Sequence, residues 1–175
     1  LSGYNGTDSV RIQYFFSSSS YQGESFIFND QTIQAKDVFD MTFTFNGTSG
    51  DDYLSTWNGK SIVYAGDGND RIYTSDQDDY LEGGAGNDTL NAGGGNDTLV
   101  GGTGNDNLNG GYGNDTYLFS KGHGQDTVYD YDGQNQIKFT DVNAKEVTFS
   151  KDNSDLILSG YNGTDSVRIQ YFFSS

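Results

Sequence analysis

The 175-residue chain has no cysteine and no proline. Zero cysteine excludes disulfides, and zero proline excludes a slow prolyl step in folding. Histidine, methionine and tryptophan occur once each, and Lys and Arg together only nine times against 25 acids, for a net charge of −16. That acidity argues against nucleic acid and against anionic membrane surfaces as partners. No apolar run approaches the length of a membrane span, and nothing reads as a signal peptide. H-E-x-x-H and G-x-S-x-G are both missing, so the catalytic parts of metalloproteases and lipases are not represented and no enzyme activity is expected. The lone histidine, His123, is expected to be a hydrated loop residue rather than a base or a ligand. Leu, Ile, Val and Phe make up 37 of 175 residues, which with this charge lies at the border of intrinsic disorder.

What the chain does contain is a period. From Gly47 to Leu118 eight nine-residue units follow one another without a residue gained or lost: GTSGDDYLS, TWNGKSIVY, AGDGNDRIY, TSDQDDYLE, GGAGNDTLN, AGGGNDTLV, GGTGNDNLN and GGYGNDTYL. The pattern is G-G-x-G-x-D-x-U-x, with U apolar. Position six is Asp52, Asp70, Asp79, Asp88, Asp97, Asp106 or Asp115 in seven units and Ser61 in the other. Position eight is Leu54, Val63, Ile72, Leu81, Leu90, Leu99, Leu108 and Tyr117. The glycine-rich first six residues predict a turn, since glycine at positions one, two and four weakens a strand or helix interior. The x-U-x remainder predicts a three-residue strand with one side chain inward. Two units then make an 18-residue coil, and stacked coils make a roll at the strand spacing of about 4.8 Å.

Stacking superposes units n and n+2, so the Asp residues form two columns, one of Asp52, Asp70, Asp88 and Asp106, the other of Asp79, Asp97 and Asp115 above Ser61. Bare carboxylates at about 5 Å repel, and a hard divalent cation between turns removes the problem. Ligation by oxygen alone, from carboxylates and main-chain carbonyls, describes calcium rather than zinc or magnesium. Only 10 of the 72 residues in this stretch are Leu, Ile, Val or Phe, too few for the core alone to offset the ordering entropy. Metal binding is therefore expected to supply much of the folding free energy.

These units resemble the RTX (repeats-in-toxin) calcium-binding β-roll of type I-secreted bacterial proteins, closely over 47–118. The resemblance implies an all-β fold, a right-handed parallel β-roll with two nonapeptides per coil and β-rich caps at both ends. It implies calcium held by the position-six Asp and the glycine-turn carbonyls of two stacked turns. On this chain those are Asp52, Gly66, Gly68, Asp70, Asp79, Gly84, Gly86, Asp88, Gly93, Gly95, Asp97, Gly102, Gly104, Asp106, Gly111, Gly113 and Asp115, with Asp126 from a fading repeat. Turn pairing predicts about five to seven calcium ions. The match is weaker at 56–64, where Ser61 replaces Asp, and at 74–82, where Thr74, Ser75 and Gln77 replace glycines.

The flanks differ in kind. All 12 Phe lie outside 47–118, and 8–16, 24–28, 41–45, 135–139, 146–150 and 155–158 read as short strands; 31–39 carries a weak helical signal. Past Leu118 the repeat slips by two residues and continues as KGHGQDTVY and DYDGQNQIK. Asp130 and Asp132 before Gly133 suggest an EF-hand loop, but Val128 and Phe139 occupy its first and last ligand positions, and that pattern fails. The expected organisation is a cap at 1–46, the roll at 47–118, degenerate repeats at 119–138 and a second cap at 139–175. Residues 1–18 are identical to 158–175, which reads as tandem copies of a 157-residue period cut in mid-domain or as a duplicated end, and which allows head-to-tail contact between copies. Joined to residues 19–40, the C-terminal copy resembles the haemolysin-type calcium-binding related region. Even-unit outward residues are the more apolar, and flanking segments or another copy of the chain are expected to cover that face.

The favoured function is a secreted module, extracellular or on the surface of a bacterium, disordered at low calcium and folding after passage through type I secretion machinery. The alternatives are an adhesin segment that binds a surface or ligand through its outward faces, or the stabilising tail of a secreted hydrolase; whether the parent is toxin, adhesin or hydrolase is not written in this stretch of sequence.

Overall fold

The computed structural model describes residues 41–173 except Asn58 and Tyr131, together with four short upstream strands. The chain divides into two units, residues 1–41 and 42–175. In the first, β1 (Ser2–Tyr4) pairs antiparallel with β2 (Asp8–Ser9), and β3 (Ser25–Ile27) pairs antiparallel with β4 (Thr32–Gln34). The helical turn expected at 31–39 is replaced at Thr32–Gln34 by strand. Its other residues, like 10–16 of the first predicted strand, lie outside the described residues.

In the second unit the strands alternate between two sheets: β5 (Phe43–Asn46), β6 (Tyr53–Ser55), β7 (Ser61–Asp67), β8 (Arg71–Tyr73), β9 (Tyr80–Ala85), β10 (Thr89–Gly94), β11 (Thr98–Thr103), β12 (Asn107–Tyr112), β13 (Thr116–Phe119), β14 (Gln125–Val128) and β15 (Gln136–Phe139). Even-unit strands form the sheet β15-β13-β11-β9-β7-β5, and odd-unit strands run β14-β12-β10-β8-β6. All these pairings are parallel. Their register is 18 residues within the repeats, as in Leu90 with Ile72 and Leu108, and 20 past the slip, as in Asn107 with Thr127 and Thr116 with Gln136. The architecture is the parallel β-solenoid that the period predicts.

A single file of position-eight side chains fills the space between the sheets. Val63, Ile72, Leu81, Leu90, Leu99, Leu108, Tyr117 and Val128 are buried, each aliphatic one worth about 1.5–3 kcal/mol of transfer free energy. The file begins earlier than the eight units suggest. Phe45 on β5 pairs with Val63 and packs against the core as a position-eight residue of a half-coil before Gly47.

Three other expectations need correction. The central strands are six residues long, not three, and take in glycines at positions one and two. The neighbouring coil supplies ladder hydrogen bonds there, so register with Gly66↔Gly84 and Gly84↔Gly102 outweighs glycine's weak strand preference. Unit 74–82 keeps the coil without its glycines by forcing Gln77 to φ 135°, a strained conformation costing about 1–3 kcal/mol. The flanking strands within residues 42–173, finally, do not divide the faces into covered and open. Tyr64 on the even face remains 43% exposed and Tyr53 on the odd face 69%, while Tyr80, Val100, Thr89 and Asn109 are all half-buried. Outward aromatics stack along each sheet instead, Tyr64 on Tyr80 at 5.8 Å and Tyr53 on Tyr73 at 5.5 Å. Flanking strands extend the sheets at their edges, where unpaired N–H and C=O groups offer more than a half-polar face does.

Beyond β15 the chain turns through a short 3₁₀ segment (Ala144–Glu146) into β16 (Thr148–Asp152), β17 (Asp155–Ser159) and β18 (Ser166–Ile169). β16 and β17 are antiparallel, and β18 runs parallel to β14, with Val128 beside Ile169. The C-terminal copy of the 18-residue repeat thus closes the odd-unit sheet in place of a further coil.

Candidate metal centre

Each position-six Asp stands at the turn leading into a strand, facing inward. Asp70, Asp79, Asp88, Asp97, Asp106 and Asp115 are all buried, as is Ser61. Their two carboxylate oxygens have different surroundings. Oδ1 accepts the main-chain N–H of position six in the preceding coil: Asp70 from Asp52 at 2.7 Å, Asp79 from Ser61 at 2.6 Å, Asp88 from Asp70 at 2.8 Å, Asp97 from Asp79 at 2.7 Å, Asp106 from Asp88 at 2.8 Å and Asp115 from Asp97 at 2.8 Å. Oδ2 of the same six residues is buried and has no hydrogen-bond partner. A buried acceptor without a partner costs about 1–3 kcal/mol, and more when charged.

The energetic consequence is visible in the acidities. Burial raises Asp79 and Asp88 to about 6, Asp106 to about 7 and Asp97 to about 8, and it raises Asp70 and Asp115 as well. Hydrogen bonds from the preceding coil oppose the rise without cancelling it. Six carboxylates are held in line where their charged form is unfavourable.

The glycines shape the space around Oδ2. A Cβ on Gly83 would collide with Asp88 Oδ2, one on Gly101 with Asp106 Oδ2 and one on Gly110 with Asp115 Oδ2. At position two, Gly66, Gly84, Gly93, Gly102 and Gly111 all have φ between 94° and 111°. At position four, Gly68, Gly86, Gly95, Gly104 and Gly113 are likewise left-handed, and a Cβ on Gly86, Gly104 or Gly113 would strike the carbonyl oxygen of the coil below. Among the described residues no point gathers three or more Asp, Glu, His or Cys side chains. A cation seated against Oδ2 would therefore take much of its ligation from main-chain carbonyls. Hard oxygen donors, one negative charge per turn and roomy glycine turns fit calcium.

The column ends depart from this pattern. At the N-terminal end Asp52 is half-buried, and its Oδ2 already accepts the N–H and hydroxyl of Thr48 at 2.6 and 2.9 Å. Asp126 continues the odd column, its Oδ1 accepting from Asp106 N–H at 2.9 Å, but its Oδ2 lies 2.6 Å from His123 Nδ1. His123 is not the hydrated loop residue expected. It is 2% exposed, with Nε2 at 2.7 Å from Tyr161 Oη and its ring against Phe119. The two-residue slip creates this arrangement by lengthening the turn before β14, which folds the imidazole inward.

Sequence reasoning also missed a second ladder, at position five. Asn69, Asn87 and Asn105 stack, each donating its N–H to the side-chain oxygen below, Asn69 to Asp51 at 2.7 Å, Asn87 to Asn69 at 2.9 Å and Asn105 to Asn87 at 2.8 Å. Asn96 on Asp78 and Asn114 on Asn96 repeat this in the other column. Its signal was present, since position five is Asn or Asp in every unit except that of Lys60.

The model of the RTX calcium-binding nonapeptide repeat matches residues 44–72, 64–99 and 91–125, and that of the haemolysin-type calcium-binding protein related domain matches 3–33. The first match starts at the half-coil of Phe45 rather than at Gly47. The iron-regulated protein FrpA of Neisseria meningitidis serogroup C is 41% identical over 65 residues, which is 34% of this chain and 6% of that protein. The chain thus spans a small part of this relative's length. Residues 44–125 are a block of RTX calcium-binding nonapeptide repeats wound into a parallel β-roll, accompanied in the same chain by a haemolysin-type calcium-binding related segment.

Proposed function

We propose that this chain is a calcium-dependent folding module of a larger secreted bacterial protein, disordered where calcium is scarce and folded where it is plentiful. The six partnerless Asp Oδ2 atoms carry this reading. Without a cation they make the roll electrostatically unfavourable; with one between successive turns they become its strongest cross-links. Asp70, Asp79, Asp88, Asp97, Asp106 and Asp115 hold the ions, with carbonyls of the glycine turns completing each shell. The cation supplies charge neutralisation and cross-linking, and the chain's own residues set the register that places it. Extracellular calcium sites bind at about 10⁻⁴–10⁻³ M, so an acidic chain stays unfolded in the cytosol, passes through a type I channel and folds outside. A non-catalytic role accords with the repeat family, and the activity of the parent protein lies in other segments. Among the described residues no helix is long and apolar enough to cross a membrane.

The test is far-UV circular dichroism of the whole chain during calcium titration, with magnesium as control. A cooperative gain of β-structure at millimolar or lower calcium, reversed by chelation, is the expected result. A spectrum indifferent to chelator defeats the proposal.

A further inference from the structure

The two columns end differently. On the odd column the last carboxylate, Asp126, meets an imidazole; on the even column the last buried carboxylate is Asp115, whose Oδ2 has no partner. The residue next in line at position six is Asn135, whose Oδ1 accepts the Asp115 N–H at 2.8 Å. Asn135 therefore performs the structural half of a position-six aspartate and brings no charge. In the same unit, position one, which is Gly, Ala or Thr in the eight full units, is Asp130.

Asp130 reaches back into the roll. Its Oδ2 accepts a hydrogen bond from the Tyr117 hydroxyl at 2.5 Å, and Tyr117 Oη accepts the Gly110 N–H at 2.7 Å. A Cβ on Gly110 would collide with Asp115 Oδ2 and stand 2.7 Å from Tyr117 Oη. Oxygens of Asp115 and Tyr117 thus flank the room left by the missing side chain of Gly110, with that of Asp130 beside them. Asp115 is fully buried and its Oδ2 has no partner. Tyr117 is the one position-eight residue of the eight units with a polar tip, and the tip points here.

We propose that Asp115, Tyr117 and Asp130 form an additional calcium site that closes the even-unit column, with the carboxylate absent at position six of the last unit restored from position one. Asp115 and Asp130 supply the charge and Tyr117 Oη a neutral oxygen, a hard-donor set suited to calcium. Of its three ligands Asp115 and Tyr117 belong to the last full repeat unit, and Asp130 lies beyond residues 44–125. The site rests on the calcium reading of the repeats, and the test separates the two.

The full chain is titrated with calcium chloride by calorimetry, and bound ions are counted by native mass spectrometry. Asp130→Asn should bind one ion fewer than wild type while its circular dichroism at saturating calcium is unchanged. Asn135→Asp in that background should restore the ion. Asn135→Asp alone should tighten the weakest site by about tenfold, because a carboxylate is added at position six. This second measurement decides the matter if Asp130→Asn fails to fold. An unchanged ion count in Asp130→Asn, or unchanged binding in Asn135→Asp, overturns the terminal site and leaves the repeat sites standing. Absence of calcium binding by the wild-type chain overturns the reading of the repeats themselves.

Discussion

Replacing Gly102 by alanine is expected to break the roll between two coils. Gly102 has φ 108°, a conformation that costs an L-residue about 1–2 kcal/mol. Steric overlap costs more, because the added Cβ would collide with the carbonyl oxygen of Gly84 directly below. That atom is main chain held in the parallel ladder between β9 and β11, so no rotamer change relieves the overlap. The coils must separate or slip, and the loss should reach about 3 kcal/mol or more, a large part of the stability of a typical domain. Gly50→Ala is the control: nothing lies within 4 Å of its Cβ and its backbone is outside the left-handed region, so its effect should stay within about 0.5 kcal/mol. Urea unfolding at saturating calcium measures both. Similar midpoints for the two variants would show that the glycines are not there for close approach.

Asp97→Ala should raise the calcium midpoint of folding by about tenfold or more, and Asp52→Ala should shift it far less. Asp97 is buried, its Oδ1 is the acceptor for the Asp79 N–H, and its Oδ2 is free. Removal strands that N–H inside the roll, at about 1–3 kcal/mol, and takes a ligand from the ions expected on either side of it. Asp52 is half-buried, lies at the end of its column and has Oδ2 already engaged by Thr48, so little of its carboxylate is left for a cation. Burial raises Asp97 to about 8, so its charge favours folding only when a cation compensates it. The difference between the two variants should accordingly be large in calcium and small in chelator. Equal calcium midpoints in a circular dichroism titration would rule out the idea that interior aspartates serve two turns.

Much of the site was legible because the repeat leaves little geometric freedom. A period of nine with one apolar residue per unit fixes the 18-residue register, and that register determines which Asp stands above which. Leu90 lies between Ile72 and Leu108 as counting alone predicts. Counting could not show how each carboxylate divides its oxygens. Asp88 accepts the Asp70 N–H with Oδ1 and keeps Oδ2 open. The distinction depends on side-chain rotation at fixed register, to which periodicity is blind. Position five was missed for a related reason: Asn reads as a turn residue from its own propensity, whereas its ladder exists only once coils are stacked.

The amino-acid sequence by itself determined the solenoid, its register, the two acidic columns and the hard-cation chemistry, because each follows from a short period acting on local geometry and charge. Only the tertiary structure decided how the columns end. His123 turns inward onto Asp126, Tyr117 reaches Asp130, and β18 completes the odd-unit sheet in place of another coil. Those contacts join residues 3, 13 and 41 positions apart, outside any period, and they form because a buried charge or an open sheet edge at the end of a stack must find whatever partner the folded chain brings within reach.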